Sequence, residues 1–384
     1  MEAVFLKGQI MKTVITYKTM KIFVVSLIIS CGFVIAESQS GRVPNKFSPV
    51  DVNEIPKILN MISDNTQNNY KLIRTWEGRI ESQLDYIYEG KAAEKIFKSS
   101  TQGIGETPLS VLNSVETITE FSLDAEKDCV FVHSYSNKPI EYRGLDTGRS
   151  LGTKGIPGEA ISILTKEYYV KCKADRMRNG VVTSRKAIKQ NLQDCQSCQN
   201  QPVFDPRESF NAGQPIWETI QHILKQILKD GEWKVNGHNL KVEENKTGDV
   251  IQYQIIMPGK MTEGNLIFTT MVFSSEKGFN ITLFQMADVN DRIFQKGTWN
   301  YELIDGVYLP KETTHQNYMG KDGSLSYSKK MSFKNSRINQ SIASETFTYK
   351  NLGLKEGDIF VDEIQKKEYR YKEATKSLEP INKE

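Results

Sequence analysis

No His-Glu-x-x-His pair, no phosphate-cradling glycine loop and no dinucleotide fingerprint occurs in this sequence. The hydrolytic, nucleotide and hydride chemistries that depend on those spacings therefore have no foothold. Histidine is scarce, with four in 384 residues, and the scattered His222, His238 and His315 fall into no acid-then-histidine order behind a nucleophile. Charge of one sign is also lacking. Fifty Lys and Arg against 47 Asp and Glu leave a net charge of +3, so neither a nucleic-acid footprint nor an acidic tail dominates. No apolar run reaches the roughly 20 residues of a membrane-spanning helix.

The longest apolar run, "IFVVSLIISCGFVIA", follows Lys12, Lys18 and Lys21 and precedes the polar "ESQSGR". That is the order of an export signal. Val34 and Ala36 place small residues three and one before Glu37, which predicts cleavage after Ala36. A competing cut precedes Cys31, where Ile28, Ile29 and Ser30 resemble a bacterial lipoprotein box and would leave Cys31 lipid-bearing. An uncleaved anchor is the third alternative.

Export makes Cys129, Cys172, Cys195 and Cys198 disulfide candidates. Four cysteines allow three pairings, and metal or redox use of "CQSC" at 195–198 stays open. That pair lacks both the thioredoxin-like context and the histidine of a haem site, and no second pair accompanies it as a zinc site requires. No metal site and no cofactor is predicted.

Along the chain, Val52, Ile55, Leu59 and Ile62 recur at helical spacing, with Pro56 in the first turn and "SDNTQNN" from Ser63 as the expected end. From Tyr70 the period becomes two, with Leu72, Trp76 and Ile80 on one side. Strands are predicted at 118–124, 128–136, 139–146 and 167–177, and a short helix at 158–165. "PIWETIQHILKQILKDG" carries the strongest stripe, Trp217, Ile220, Leu224 and Ile227, between Pro215 and Gly231. His222 beside it reads as a solvated or packed side chain. Nearly everything from Leu240 to Tyr371 reads as antiparallel strands. Asp305-Gly306 makes a two-residue hairpin that sets Trp299, Tyr301 and Leu303 on one face, and Pro310 marks an edge, bulge or bend.

The opening helix, the "TWEG" strand, the interrupting amphipathic helix, "WNYELIDGVYLPKET" and "ETFTYKNLGLKEGDIFVD" together resemble the lipoprotein-carrier-like superfamily of bacterial envelope proteins, the LolA, LolB and RseB type. The nearest likeness is to its branch in bacteria such as planctomycetes. The resemblance implies a mainly β (α+β) fold: an unclosed antiparallel β half-barrel with helices covering the concave face. It divides the chain into a signal peptide (1–36), a linker (37–50), one half-barrel domain (51–375) with a helical insertion near 215–231, and a polar tail (376–384). It implies a non-enzymatic, exported protein of the periplasm or cell envelope, holding a lipid, acyl chain or lipidated protein. The carrier's lid-holding arginine has no secure match, so no functional residue is carried over.

A curved, unclosed sheet has one apolar concave face that its own helices or a ligand must cover. The lining candidates are Trp76, Trp217, Ile220, Leu224, Ile227, Tyr253, Ile255, Trp299 and Tyr301. The same residues would equally fill a dry core. An envelope interaction or sensor module without lipid is the alternative reading. A hydrolase at Ser150 is a weaker one, since "GRSLG" at 148–152 matches a nucleophile elbow but runs on into a Gly-rich passage.

Overall fold

The computed structural model describes residues 47–100, 107–148, 150–176, 182–192, 216–230, 234–235, 238–260, 266–318 and 323–381. The expected signal segment, Cys31, Cys195 and Cys198 lie outside them.

In chain order the elements are β1 (Ser48–Pro49), α1 (Ile55–Leu72), β2 (Thr75–Glu89), α2 (Gly90–Ser100), β3 (Ser110–Asp124), β4 (Cys129–Tyr135), β5 (Ile140–Gly144), β6 (Ser150–Lys154), β7 (Glu159–Leu164), β8 (Tyr168–Arg176) and β9 (Val182–Asn191). Then come α3 (Ile216–Asp230), the paired β10 (Lys234–Val235) and β11 (His238–Asn239), β12 (Lys241–Thr247), β13 (Val250–Lys260), β14 (Leu266–Ser274), β15 (Asn280–Asp288), β16 (Ile293–Ile304), β17 (Val307–Asn317), β18 (Tyr327–Ile338), β19 (Ile359–Asp362), β20 (Lys367–Lys372) and β21 (Ser377–Pro380).

The fold is mainly β, one large sheet that does not close. From its β1 edge the ladder runs β1, β12 to β18 in order, then β2 and β3, antiparallel throughout. Beyond β3 it continues through β4, β7, β8 and β9 to β19, β20 and β21, while β5 and β6 extend the other end of β3. Only β9 with β19 is parallel among the described pairs.

Local chemistry accounts for these elements. In α1, Ile55, Leu59 and Ile62 of the expected stripe are buried, joined by Ile58, whereas Val52 falls before the helix in a 3-10 turn and is exposed. The helix does not stop at Ser63 as predicted but runs to Leu72. Its stripe continues in polar residues that find partners, Thr66 Oγ1 donating to Ile62 O at 2.8 Å and Asn69 reaching the sheet. The strand that follows starts at Thr75, not Tyr70.

The helix expected at 158–165 is strand β7, where Glu159, Ile161 and Ile163 are buried in alternation. Helix α2 has only Ala93, Ile96 and Phe97 as its stripe, packed on Val111 and Leu151. The last strand, β21, lies in the stretch read from sequence as a polar tail.

The Asp305-Gly306 turn forms as predicted, with φ of 48° and 79°, the positive pair that a two-residue primed turn demands. Of the edge, bulge or bend expected at Pro310, a bulge is what forms: Tyr301 pairs Pro310 and Asn300 pairs Glu312, leaving Lys311 unopposed. Trp299 and Tyr301 are buried, but Leu303 near the tip is 59% exposed.

Candidate functional site

The largest apolar cluster lies between sheet and helices. Ile55, Ile58, Leu59 and Ile62 of α1 and Ile220, Ile223 and Leu224 of α3 meet a floor that includes Val242, Tyr253, Ile255, Met271, Phe273, Trp299 and Tyr301. Of the lining residues predicted from sequence, Ile220, Leu224, Tyr253, Ile255, Trp299 and Tyr301 come together here. Trp217 sits at the margin, half-buried, its ring 4.4 Å from that of Tyr70 at 61°. Ile227 lies in α3, its side chain outside the described residues.

Trp76 does not belong to this cluster. It is fully buried in a neighbouring one, edge-on to Phe121 at 5.1 Å and stacked with Phe333 at 6.0 Å. It lies on β2, three strands beyond β16 of the floor, a separation that strand periodicity alone does not reveal.

The two covering helices are held differently. α1 is tied to the hairpin by hydrogen bonds, Asn69 Nδ2 donating to Tyr308 O at 2.9 Å and Asn69 Oδ1 accepting from Tyr308 N at 2.8 Å. For α3 the hydrogen bond seen at its surface is internal, between Gln226 and the exposed His222 at 3.0 Å, and among the described residues its hold on the rest is apolar packing. On the floor, the Tyr301 hydroxyl donates to Ile281 O at 2.9 Å, and burial raises its pKa.

The same concave face continues past the helices. Directly opposed residues of neighbouring strands project to the same side, so the register defines a row across the sheet. Val242, Ile255, Met271, Phe284, Gly297, His315, Lys329, Leu84 and Val115 are successive partners in it. Its first half is the covered floor. Its second half is only half-buried at His315, Lys329, Leu84 and Val115, and we term it the trough.

Along β2 the face is buried at Ile80 and packed by α2 at Tyr88, but between them Leu84 is half-buried and Tyr86 is 37% exposed. The ring of Tyr86 stands 5.3 Å from that of Tyr327.

Polar groups gather where floor meets trough. The Trp299 indole folds back over Gly297, where a Cβ would lie 2.6 Å from it, and stands edge-on to His315 at 5.2 Å. Burial first, and then the Lys329 charge, push the His315 imidazole down to about 4. Burial also lowers the pKa of the Lys329 ammonium, for which no ion pair is seen among the described residues. Trp299 Nε1, Thr313 Oγ1 and Asn113 Oδ1, all on this face, are buried without a hydrogen-bond partner among the described residues.

His315 and Lys329 were not among the residues predicted to line the site. The available signal was the alternation of "YSKKMSF", which sets Lys329 on the side of Tyr327, Met331 and Phe333.

The cysteine expectation needs correction at two positions. Cys129 and Cys172 are free thiols. They lie on β4 and β8 with β7 between them, roughly two strand spacings or 9–10 Å apart at the least, beyond disulfide reach. Ser150 opens strand β6 and is exposed, so the strand, turn and helix of a nucleophile elbow are not built around it. Elsewhere, His133 Nε2 meets Glu159 Oε1 at 2.8 Å and Arg185 Nη2 meets Glu159 Oε2 at 3.2 Å, a bridge tying β4, β7 and β9 together.

Fold and site together define an open, antiparallel β-sheet protein with an apolar concavity under two helices. No helix among the described residues is long and apolar enough to cross a membrane. No family model and no curated protein matches the chain.

Similar solved structures include a LolA superfamily protein from Nitrosomonas europaea, 7% identical, covering 76% of this chain and 99% of its own, with a TM-score of 0.31. A DUF1329 family protein from Desulfovibrio piger is 9% identical over 77% of this chain and 98% of its own, TM-score 0.31. A domain described as an outer membrane lipoprotein-sorting protein, from Vibrio parahaemolyticus, is 10% identical over 76% and 97%, TM-score 0.31.

Proposed function

We propose that this protein is an exported, non-enzymatic protein of the bacterial envelope that holds a lipid, acyl chain or lipidated protein between its curved sheet and helices α1 and α3. The observation that carries this reading is the unequal hold on the two helices over one apolar floor. α1 is fixed by the Asn69 clamp, whereas α3 rests on Ile220, Ile223 and Leu224.

A cover held by apolar contacts is exchangeable for an acyl chain, because each methylene that replaces it contributes about 0.8 kcal/mol of burial. The signal-like N-terminus, with cleavage after Ala36 or acylation at Cys31, supports the location, and residues 51–375 would act as one unit.

The test is mass spectrometry of lipids carried by the protein after gentle extraction from its host. A stoichiometric acyl-bearing species supports the reading. A protein that arrives empty, and that takes up neither fatty acid nor hydrophobic dye, would leave an envelope interaction module.

A further inference from the structure

The trough beside the covered floor contains a charge with no counter-charge among the described residues. On β16, β17, β18, β2 and β3, the residues that share the face of Lys329 within one register step are apolar, amide, hydroxyl or aromatic, and none is acidic. The acids of these strands nearest to Lys329, Glu81, Asp85, Glu116 and Glu312, project from the other side. His315 opposite Lys329 is neutral at pH 7, its imidazole being pushed down to about 4.

Within one register step on these five strands Lys329 is therefore the single cation of this face among the described residues, half-buried and flanked by Tyr327 and Leu84. A half-buried ammonium without a partner is costly, and an anion brought to it recovers that cost. Close by, Thr313 Oγ1 (residue 2% exposed) and Trp299 Nε1 (7%) are buried hydrogen-bonding groups without partners among the described residues. Trp299 also belongs to the apolar floor under α1 and α3, so polar end and apolar chamber share one wall.

We propose that the ligand of this face is an anionic amphiphile. Its acidic head group, carboxylate or phosphate, pairs with Lys329 in the trough, with Thr313 and Trp299 as neighbouring donors, while its acyl tail runs past Trp299 beneath α3. This rests on the acyl-binding reading above and adds the polarity of the ligand and the direction in which it lies.

The experiment compares binding of sodium oleate, lysophosphatidate and oleyl alcohol by tryptophan fluorescence and calorimetry, in the wild type, Lys329→Met and Lys329→Arg. The wild type is expected to hold an acidic lipid about tenfold or more tightly than the alcohol, the scale of one charge-assisted hydrogen bond. Which of the two acids gains identifies the head group. Lys329→Met is expected to lose that preference while keeping its affinity for the alcohol, and Lys329→Arg to keep it.

Equal affinity of the wild type for all three lipids overturns the head-group assignment and leaves acyl binding standing. Binding of none of them overturns both. Because the wild-type comparison needs no variant, the outcome stands even if Lys329→Met fails to fold.

Discussion

Asn69 grips both halves of one residue's backbone, its amide nitrogen donating to Tyr308 O at 2.9 Å and its amide oxygen accepting from Tyr308 N at 2.8 Å. A side-chain amide that copies a strand partner in this way fixes α1 to the β16–β17 hairpin in both position and rotation. Asn69→Leu keeps the volume but leaves both backbone groups without their partner. The expected loss is about 2 kcal/mol of unfolding free energy, read from the urea midpoint at constant slope. Asn69→Asp, which retains the acceptor alone, should fall between the two.

Leu224 and Ile255 face each other's layer across the apolar chamber, on cover and floor. If α3 is an exchangeable cover, Leu224→Gln should raise hydrophobic-dye or fatty-acid binding and leave the melting temperature nearly unchanged. Ile255→Gln, a buried amide in the floor, should lower the melting temperature sharply through an unpartnered polar group and lost packing. Equal destabilisation by both, with no binding in either, would make the chamber plain core.

Gly297 is required by Trp299. A methyl group there would meet the indole at 2.6 Å, so Gly297→Ala forces the ring off its place over His315. A cost of about 1–3 kcal/mol follows, together with a shift in tryptophan emission as the ring moves. Unchanged stability and emission would show that the indole has room to spare.

His315 gives the fold a pH dependence of definite sign. Its folded pKa, about 4, lies below its ordinary value of 6.5, so the unfolded chain binds the proton more readily. The stability this provides is fully present above pH 6.5 and is lost as pH falls from there toward 4. Allowing for partial exposure, the loss is on the order of 1–2 kcal/mol. Thermal melts at pH 7 and 5 should differ less in His315→Gln than in the wild type.

Cys172 should be silent in the native protein. It is buried and its thiol is pushed up to about 12, chiefly by desolvation, so little thiolate exists near neutral pH. Ellman's reagent should label it only as fast as the domain opens, and denatured, unreduced protein should show thiols at both Cys129 and Cys172. A disulfide at either position would be detected as a missing equivalent.

Much of the β-rich half was legible because its pattern is local. Alternation in "VIQYQIIM" and "NLIFTTMVF", and the Asp305-Gly306 turn, depend on neighbours a few residues away. The helix stripes of α1 and α3 are local too, which is why Ile220 and Leu224 were found.

What escaped depended on tertiary partners. α1 runs on past Ser63 because Asn69 and Tyr70 have something to hold, and β7 is a strand because β4 and β8 flank it. Lys329 matters only once the register puts it opposite His315. The place of Trp76 outside the cluster under α3 has the same cause: the strand order that separates β2 from that floor is not written in β2 itself.

That strand order also bears on when the sheet can form. β2 lies between β3, which follows it closely in the chain, and β18, whose Tyr327 pairs with Tyr86. Later still, Phe360 of β19 must find Ala187 of β9. Until nearly all of the chain has been made, β2 and β9 each keep an edge open, and the apolar residues beside them stay unburied. Pairings so distant in sequence make for slow, late and collective folding. A truncation that removes β18 and β19 would leave β17, β2 and β9 each with an unpaired edge, in addition to the outer edges the open sheet already carries.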